Sequence, residues 1–396
     1  MKKIIVTGAS GQDGSIMCDY LLALGHKVFG VVRRSASPDL QNLEQASWHE
    51  NFQLVYADVS DEVSVNEIVQ KIQPNYFVNF AANSFVGCSW DMPLQVFDVN
   101  TLGVLRCLEA VRKYAPTCRF YNAGSSEEFG DVVFSPQNES HPLRPRSPYG
   151  ASKASARHLV KVYRDSYSIY AIQGWLFNHE GVRRSPEFVT RKITKGVARI
   201  KRAIEKGQPF EPVELGNLDT KRDWSDSEDF VDAIWRMLNQ DRYRGHIMLP
   251  MPALIETGWL KEYVVASGEN HTIREFVELA FKEAGIDGVW RFIDGDTKNQ
   301  LKKCYIKTPD LKPGQVGSPA AVISYNDPAM LVKINPKFYR PAEVNTLCGD
   351  SSLIRKELKW IPKVSFEELV KKMVQKDLLE FSNIYLSFHK KHDTLK

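Results

Sequence analysis

Apolar residues in the first half of the chain fall into two alternating patterns. Short, nearly continuous runs rich in β-branched and aromatic residues predict strands: KKIIVTG, KVFGVV, FQLVYADV, NYFVNFAA, CRFYNAG and IYAIQGWLF. Between them lie longer segments whose apolar positions recur every three or four residues. These are SIMCDYLLALG, closed by Gly25, then VSVNEIVQKIQ, LGVLRCLEAVRKY and ASARHLVKVYRDSY. That spacing gathers apolar side chains on one face of a helix. Strands alternating with such helices predict βαβ units, hence an α/β fold whose parallel sheet carries helices on both faces.

The rhythm changes near Asn178. EFVTRKITKGVARIKRAIEKG and TIREFVELAFKEAG read as amphipathic helices, separated by loops rich in Pro, Gly and Asp such as DLKPGQVGSPAAV. VELGNLDTKRDWSDSEDFVDAIWRML reads as a strand and helix that return to the first half. The chain is therefore expected to divide into residues 1–177, with a returning segment around 213–240, and a smaller mixed α/β domain made mainly of 178–396. Neither part contains an internal repeat or a low-complexity tract.

Composition removes several classes of function. A 43% hydrophobic and 25% charged chain of 396 residues is ordinary for a globular protein. A net charge of +4 is too small to argue for nucleic acid, and leaves room for a local basic site that meets a phosphate ligand. Cys18, Cys88, Cys107, Cys118, Cys304 and Cys348 are scattered without a CxxC, so reduced thiols are expected and no metal site. No apolar run approaches the roughly 20 residues of a membrane span. MKKIIVTG breaks into Gly-rich sequence too soon for a signal peptide. The expectation is a soluble, cytosolic protein with a small-molecule ligand and neither a nucleic-acid nor a membrane partner.

The loop after the first strand gives that ligand a chemistry. TGASGQDG sets Gly8, Gly11 and Gly14 in GxxGxxG spacing, with Ser10, Gln12 and Asp13 among them, between a strand and a helix. Alone the pattern is weak; within a first βαβ unit it predicts a Rossmann-type doubly wound sheet. The glycines permit a tight turn, and the helix N-terminus offers free N–H groups to a pyrophosphate. At the end of the second strand, where an NAD site carries an acidic residue, stand Arg33 and Arg34. Two guanidinium groups suit a 2′-phosphate, so NADP is preferred over NAD. The plainer reading, a solvated surface pair, is common for arginine but less so at this position. Asp58, followed by Val59, ends the third strand, where a carboxylate accepts from an adenine amino group. FAANS places Phe80, Ala81, Ala82 and Ser84 at the end of the fourth, with small side chains over which a cofactor lies.

SPYGASK puts Tyr149 and Lys153 at i and i+4, on one face of a helix. A cationic lysine beside a phenol favours the phenolate, which makes the tyrosine a base near neutral pH. A lone YxxxK arises often by chance. Its place after a Rossmann unit and after a strand ending in NAGSSEEFG strengthens it. In that stretch Ser125 and Glu127 stand two apart, so strand alternation carried into the turn would give them one face. Ser126 is a possible helper, and Glu128 reads as a helix cap rather than a participant.

Rossmann glycines, strand-end serine and YxxxK together resemble the extended short-chain dehydrogenase/reductase superfamily. TGASGQDGS, VVRRS, GSSEEFG, RSPYGASK, LFNHEGVRR, FVTRKIT, LGNLDTKRDW and YRPAEV resemble, more specifically, the GDP-mannose 4,6-dehydratase family, over nearly the whole chain. The resemblance implies NADP, a nucleotide-sugar substrate, and a homodimer or homotetramer. It implies oxidation of the hexose at C-4, loss of water across C-5 and C-6, and return of the hydride to C-6. By the same resemblance Tyr149, with Lys153, takes the C-4 hydroxyl proton and Ser125 bonds the C-4 oxygen. Glu127 removes the C-5 proton and, with Ser126, assists the departing hydroxyl. Lys153, His179 and Arg184 would contact the cofactor. Ser84, Ser126, Asn178, Val189, Lys192, Leu215, Gly216, Arg222, Arg340 and Glu343 would line the nucleotide-sugar.

Four departures from the family pattern are legible. Ser125 stands where Thr is usual, Glu128 and Phe129 where an apolar residue and Tyr are usual, Gln95 where Tyr is, and Ser225 where Gly is. Segments 241–263 and 314–330 are longer than the family norm. These bear on the sugar, a hexose or a heptose, more than on the reaction. An epimerase or reductase of the same fold needs the Ser, Tyr and Lys but no carboxylate beside the Ser. A non-catalytic NADP-binding regulator needs none of the four.

Overall fold

The computed structural model describes residues 1–243, 259–292, 303–307, 329–339, 344 and 346–393. The six strands expected in the first half all form: β1 (Lys3–Thr7), β2 (Lys27–Val32), β3 (Phe52–Tyr56), β4 (Tyr76–Asn79), β5 (Arg119–Ala123) and β6 (Ala171–Leu176). With the short strand Val264–Val265 beyond β6 they make one sheet in the order β3-β2-β1-β4-β5-β6. Every neighbouring pair is parallel. The order reverses between β1 and β4, and the crevice at the carboxyl ends of those two strands is where such sheets take ligands.

Both faces of the sheet are buried, which is why its strands read as solid apolar runs. Ile4 and Val6 of β1 join one core with Met17 and Leu21 of α1 (Gln12–Ala23) and with Phe230 and Ile234 of the helix Ser227–Leu238. Ile5 faces the other core, built with Val69, Val104, Leu108 and Val160 from the helices Glu62–Ile72, Gly103–Tyr114 and Pro148–Tyr167. Among the described residues no helix is long and apolar enough to cross a membrane.

The chain divides into two compact units, residues 1–183 with 222–270 and 344–364, and residues 184–221 with 271–343 and 365–396. The expected returning segment, 213–240, starts too early. Strand Val213–Leu215 pairs with Met330–Ile334 inside the second unit, whereas Trp224–Asp226 pairs with Asn178–Glu180 inside the first. The return also has a second piece that sequence periodicity did not announce. The buried Trp360 indole donates to the Asp229 carbonyl at 2.9 Å, and the Asp229 carboxylate accepts from the N–H groups of Lys363 and Val364.

The second unit carries a mixed sheet of Gly288–Phe292, Lys303–Lys307, Met330–Ile334 and Val213–Leu215. Helices Val189–Glu205, Ile273–Glu283 and Phe366–Asp393 belong to it, and a buried Arg191–Asp377 ion pair at 2.9 Å ties the first to the last. Of the two long segments noted in the sequence, residues 244–258 and 314–328 lie outside the described residues.

Candidate active site

The glycine loop is shaped by backbone approach. Gly8 has φ +64°, and a Cβ there would lie 2.8 Å from the Phe80 carbonyl carbon and the Ala81 nitrogen at the end of β4. A Cβ on Gly14 would lie 2.2 Å from the Gly8 oxygen, whereas Gly11 has more room, 3.2 Å. The helix α1 begins after Gly11 with no side-chain cap at the positive end of its dipole. Gln12 is buried and its Oε1 has no hydrogen-bond partner, while its Nε2 donates to the His179 carbonyl at 3.1 Å. Both ring nitrogens of His179 face acceptor oxygens: Nδ1 lies 2.7 Å from the Phe177 carbonyl, Nε2 2.9 Å from the Asp13 carboxylate. The ring stacks on Phe230 with centroids 4.4 Å apart. His179 thereby ties the first turn of α1 to the end of β6. Ser10 accepts from Asn42 at 3.1 Å through its carbonyl.

At the neighbouring strand ends, Arg33 and Arg34 follow β2 and are exposed, with no hydrogen bond or ion pair among the described residues. Asp58 follows β3; its Oδ1 accepts from the backbone and hydroxyl of Ser60. Val59 is buried and supports Gly103. Phe80, Ala81 and Ala82 are half-buried and Ser84 is exposed. Asn100 holds this loop: it accepts from Asn83 N–H at 2.8 Å and donates to the Ser152 hydroxyl at 3.1 Å on the helix that bears Tyr149.

That helix, Pro148–Tyr167, is capped by Ser147, whose hydroxyl accepts from Gly150 N–H, and has Pro at its first position. Tyr149 and Lys153 stand in its first two turns. The Lys153 ammonium donates to the Ala123 carbonyl at 2.8 Å and lies 5.9 Å from the Tyr149 ring centroid. Burial lowers the Lys153 pKa to about 8, against the pull of Glu128 and Asp13, which raise it. A Cβ on Gly150 would lie 2.5 Å from the Glu127 carbonyl oxygen, so this helix rests on the Ser125–Glu128 backbone.

Strand alternation does not continue past β5. Ser126–Glu128 form a 3₁₀ turn with Ser125 as its cap. The Ser125 hydroxyl accepts from Glu127 N–H at 3.2 Å, and the Glu128 carboxylate accepts from Ser125 N–H at 2.8 Å. Ser125 and Glu127 are half-buried; Ser126 is 3% exposed and Glu128 0%. The cap expected of Glu128 is present, but this residue is no surface bystander. Its other oxygen pairs with buried Arg157 at 2.5 Å.

Beneath the site runs a ladder that sequence reading missed. Thr7, Asn79, Asn122 and Gln173 are in register on β1, β4, β5 and β6. The Thr7 hydroxyl donates to Asn79, the Asn79 amide to Asn122 at 2.8 Å, the Asn122 amide to Gln173 at 2.6 Å, and the Gln173 amide to Glu128 at 3.0 Å. The available signal was one polar residue in each of four apolar strands, at or next to the carboxyl end in three of them and inside the fourth.

The residues assigned to the nucleotide-sugar divide between the units. In the first, Asn178 pairs with Trp224 between short strands, and the Arg222 guanidinium is buried, donating to the Val344 carbonyl at 2.8 Å. In the second, Val189 and Lys192 begin the helix Val189–Glu205, which has no side-chain cap. Leu215 is buried, and Gly216 lies so close to the turn Pro336–Phe338 that a Cβ would sit 2.6 Å from the Phe338 carbonyl oxygen. The Lys192 ammonium lies 3.6 Å from the Phe338 ring centroid, and burial lowers its pKa. Arg184 stacks on Phe188 at 3.5 Å. Arg340 and Glu343 lie outside the described residues.

A 3-2-1-4-5-6 parallel sheet with a glycine turn after β1 and a Tyr–Lys helix against the end of β5 defines a short-chain dehydrogenase/reductase of the extended type. Comparison narrows the class. The GDP-mannose 4,6-dehydratase family model matches residues 5–373. GDP-mannose 4,6-dehydratase of Vibrio cholerae serotype O1 is 37% identical over 384 residues, 95% of this chain and 94% of that one. The chain belongs to the GDP-mannose 4,6-dehydratase family, a family of hydro-lyases. Among solved structures, dTDP-glucose 4,6-dehydratase from Bacillus anthracis in complex with NAD superimposes with TM-score 0.68 at 20% identity, covering 95% of this chain and 96% of that one. RMD from Pseudomonas aeruginosa complexed with NADPH gives 0.66 at 19%, covering 96% and 100%. At that identity these two establish the fold.

Proposed function

We propose that this protein dehydrates GDP-mannose to GDP-4-keto-6-deoxymannose with NADP as a resident cofactor. The observation that carries the reading is the packing of the Tyr149–Lys153 helix directly on the turn that bears Ser125 and Glu127. Hydride chemistry alone needs the first pair and a hydroxyl; a carboxylate at that turn is what an elimination adds.

The loop fits the cofactor. An uncapped helix start and a backbone closed down by Gly8 and Gly14 form an anion cradle, and the orphaned Gln12 Oε1 leaves one acceptor open for a hydroxyl of the cofactor. Unpaired Arg33 and Arg34 at the end of β2 suit a 2′-phosphate and favour NADP over NAD. A nicotinamide held at this loop would supply a reversible hydride acceptor for the C-4 oxidation and the return to C-6.

This chain's own residues move the protons. Lys153, positively charged below its lowered pKa, stabilises the Tyr149 phenolate, which takes the C-4 hydroxyl proton while Ser125 bonds the C-4 oxygen. The C-4 ketone acidifies the C-5 proton, and Glu127 removes it. The same proton on Glu127, with Ser126 beside it, leaves with the C-6 hydroxyl as water. His179 acts by holding Gln12 and Asp13 at the cofactor loop, and Arg184 by reaching a cofactor phosphate. Asn178, Val189, Lys192, Leu215, Gly216, Arg222, Arg340 and Glu343 line the nucleotide-sugar, the cationic ones serving its diphosphate. The reading includes a cytosolic homo-oligomer.

The test is incubation of the purified holoenzyme with GDP-mannose and no added reductant. Loss of one water with no net change in NADPH supports the reading. A stereoisomer of unchanged mass, or net cofactor turnover, replaces it with an epimerase or reductase. A parallel incubation with a GDP-heptose decides the sugar.

A further inference from the structure

Glu128 stands next to the proposed base yet is fully buried. One carboxylate oxygen accepts from Ser125 N–H at 2.8 Å and from the Gln173 amide at 3.0 Å; the other pairs with Arg157 Nε at 2.5 Å. The Gln173 amide also donates to the Lys153 carbonyl at 3.1 Å. Arg157 in turn bonds the Gln173 carbonyl and Glu262, both at 2.7 Å, and Glu262 pairs with Arg164 at 3.0 Å. Gly124 completes the arrangement, because a Cβ there would lie 2.7 Å from Glu128 Oε1. One buried carboxylate therefore touches the backbone of Ser125 directly and the backbone of Lys153 through one amide.

Stability does not account for it. Exchanging a whole buried ion pair for packed apolar groups is often neutral or stabilising, so two apolar residues in place of Glu128 and Arg157 would fill this space at little loss of fold. What an apolar residue lacks is an acceptor for Ser125 N–H and for Gln173. We propose that Glu128 is a positioning residue: through Ser125 N–H and Gln173 it holds the Ser125 hydroxyl, the Glu127 carboxylate and the Tyr149–Lys153 helix in one mutual geometry. The proposal rests on the dehydratase reading of the site. It assigns Glu128 no contact with substrate or cofactor.

The test compares wild type with Glu128→Leu, Arg157→Leu and the double variant, all loaded with NADP and assayed with GDP-mannose. Glu128→Leu leaves Arg157 short of a partner and is expected to melt early. The double variant removes both charges and is expected to recover most of that melting temperature. If Glu128 positions the site, kcat stays about 10–100-fold low in the double variant, while KM and cofactor Kd stay within about threefold of wild type. Recovery of kcat along with melting temperature overturns the proposal, as does a proportional loss of cofactor affinity. Amide-resolved hydrogen exchange on the substrate-free proteins gives a second reading that needs no turnover. The Ser125 amide is expected to exchange about tenfold faster in the double variant; unchanged protection overturns the proposal. If wild type yields no 4-keto product, the dehydratase reading fails, and the exchange result still decides whether Glu128 anchors Ser125.

Discussion

Two turns at the carboxyl edge of the same sheet solve opposite problems. The turn after β1 is glycine-rich and leaves the first N–H groups of α1 without a side-chain cap. The turn after β5 closes its own donors: Ser125 and Glu128 cap each other's backbone, and Glu128 is balanced by Arg157. Open donors at a helix start attract an anion. Satisfied donors bind nothing and hold still, which would suit a turn that carries the proposed base Glu127. The proposed phosphate cradle is thus built from what the chain omits, and the proposed catalytic turn from what it pairs.

Four perturbations break or sharpen that contrast. The largest effect is expected from Glu127→Gln, which leaves both turns intact and removes the base. Formation of 4-keto product should fall about 10²–10⁴-fold with cofactor affinity unchanged; near-normal product would place the base elsewhere. Arg33→Ala acts on the first turn's neighbourhood only. It should weaken NADP about 10–100-fold, the loss of one charge-assisted contact, and leave NAD almost unaffected by titration; equal loss of both would remove the 2′-phosphate assignment.

Gly14→Ala puts a methyl 2.2 Å from the Gly8 oxygen and so attacks the open turn itself. A stability loss of about 1–3 kcal/mol, read by denaturant, should accompany weaker cofactor binding, while Gly11→Ala should be milder. The mildest test is pH. Burial sets the Lys153 pKa at about 8, so the lysine is charged below that value and neutral above it. The proposed base Tyr149 would lose its cationic partner as pH rises through 8. kcat/KM should therefore drop about tenfold between pH 7 and pH 9, and a profile flat across that range would mean that the charge on Lys153 is not needed.

Much of this was legible in the sequence because its causes are local. A strand buried on both faces is apolar at most positions, and KKIIVTG and NYFVNFAA read accordingly. A GxxGxxG between strand and helix has one backbone solution, and YxxxK on a helix has one face. Domain bounds were less legible. Val213–Leu215 looks the same whether it pairs with Met330–Ile334 or with the first unit, because pairing partners over a hundred residues away leave no mark on a three-residue strand. The amide ladder was invisible for a similar reason. Thr7, Asn79, Asn122 and Gln173 are single polar residues in separate strands, and only strand register makes them neighbours.

The sequence by itself determined that a serine, two glutamates, a tyrosine and a lysine would gather at the edge of a nucleotide-binding sheet. Strand alternation and the family resemblance singled out Glu127, but neither showed where Glu128 would lie. A strand would have turned Ser125 and Glu127 to one side, but the chain enters a 3₁₀ turn at Ser126, where three residues complete a revolution and point three ways. Glu127 is left half-buried and Glu128 swings inward, where Arg157 and Gln173, 29 and 45 residues away, are waiting for a carboxylate. Two adjacent residues of one type differ in burial because the fold sets Arg157 and Gln173 around Glu128; that meeting is a property of tertiary packing alone.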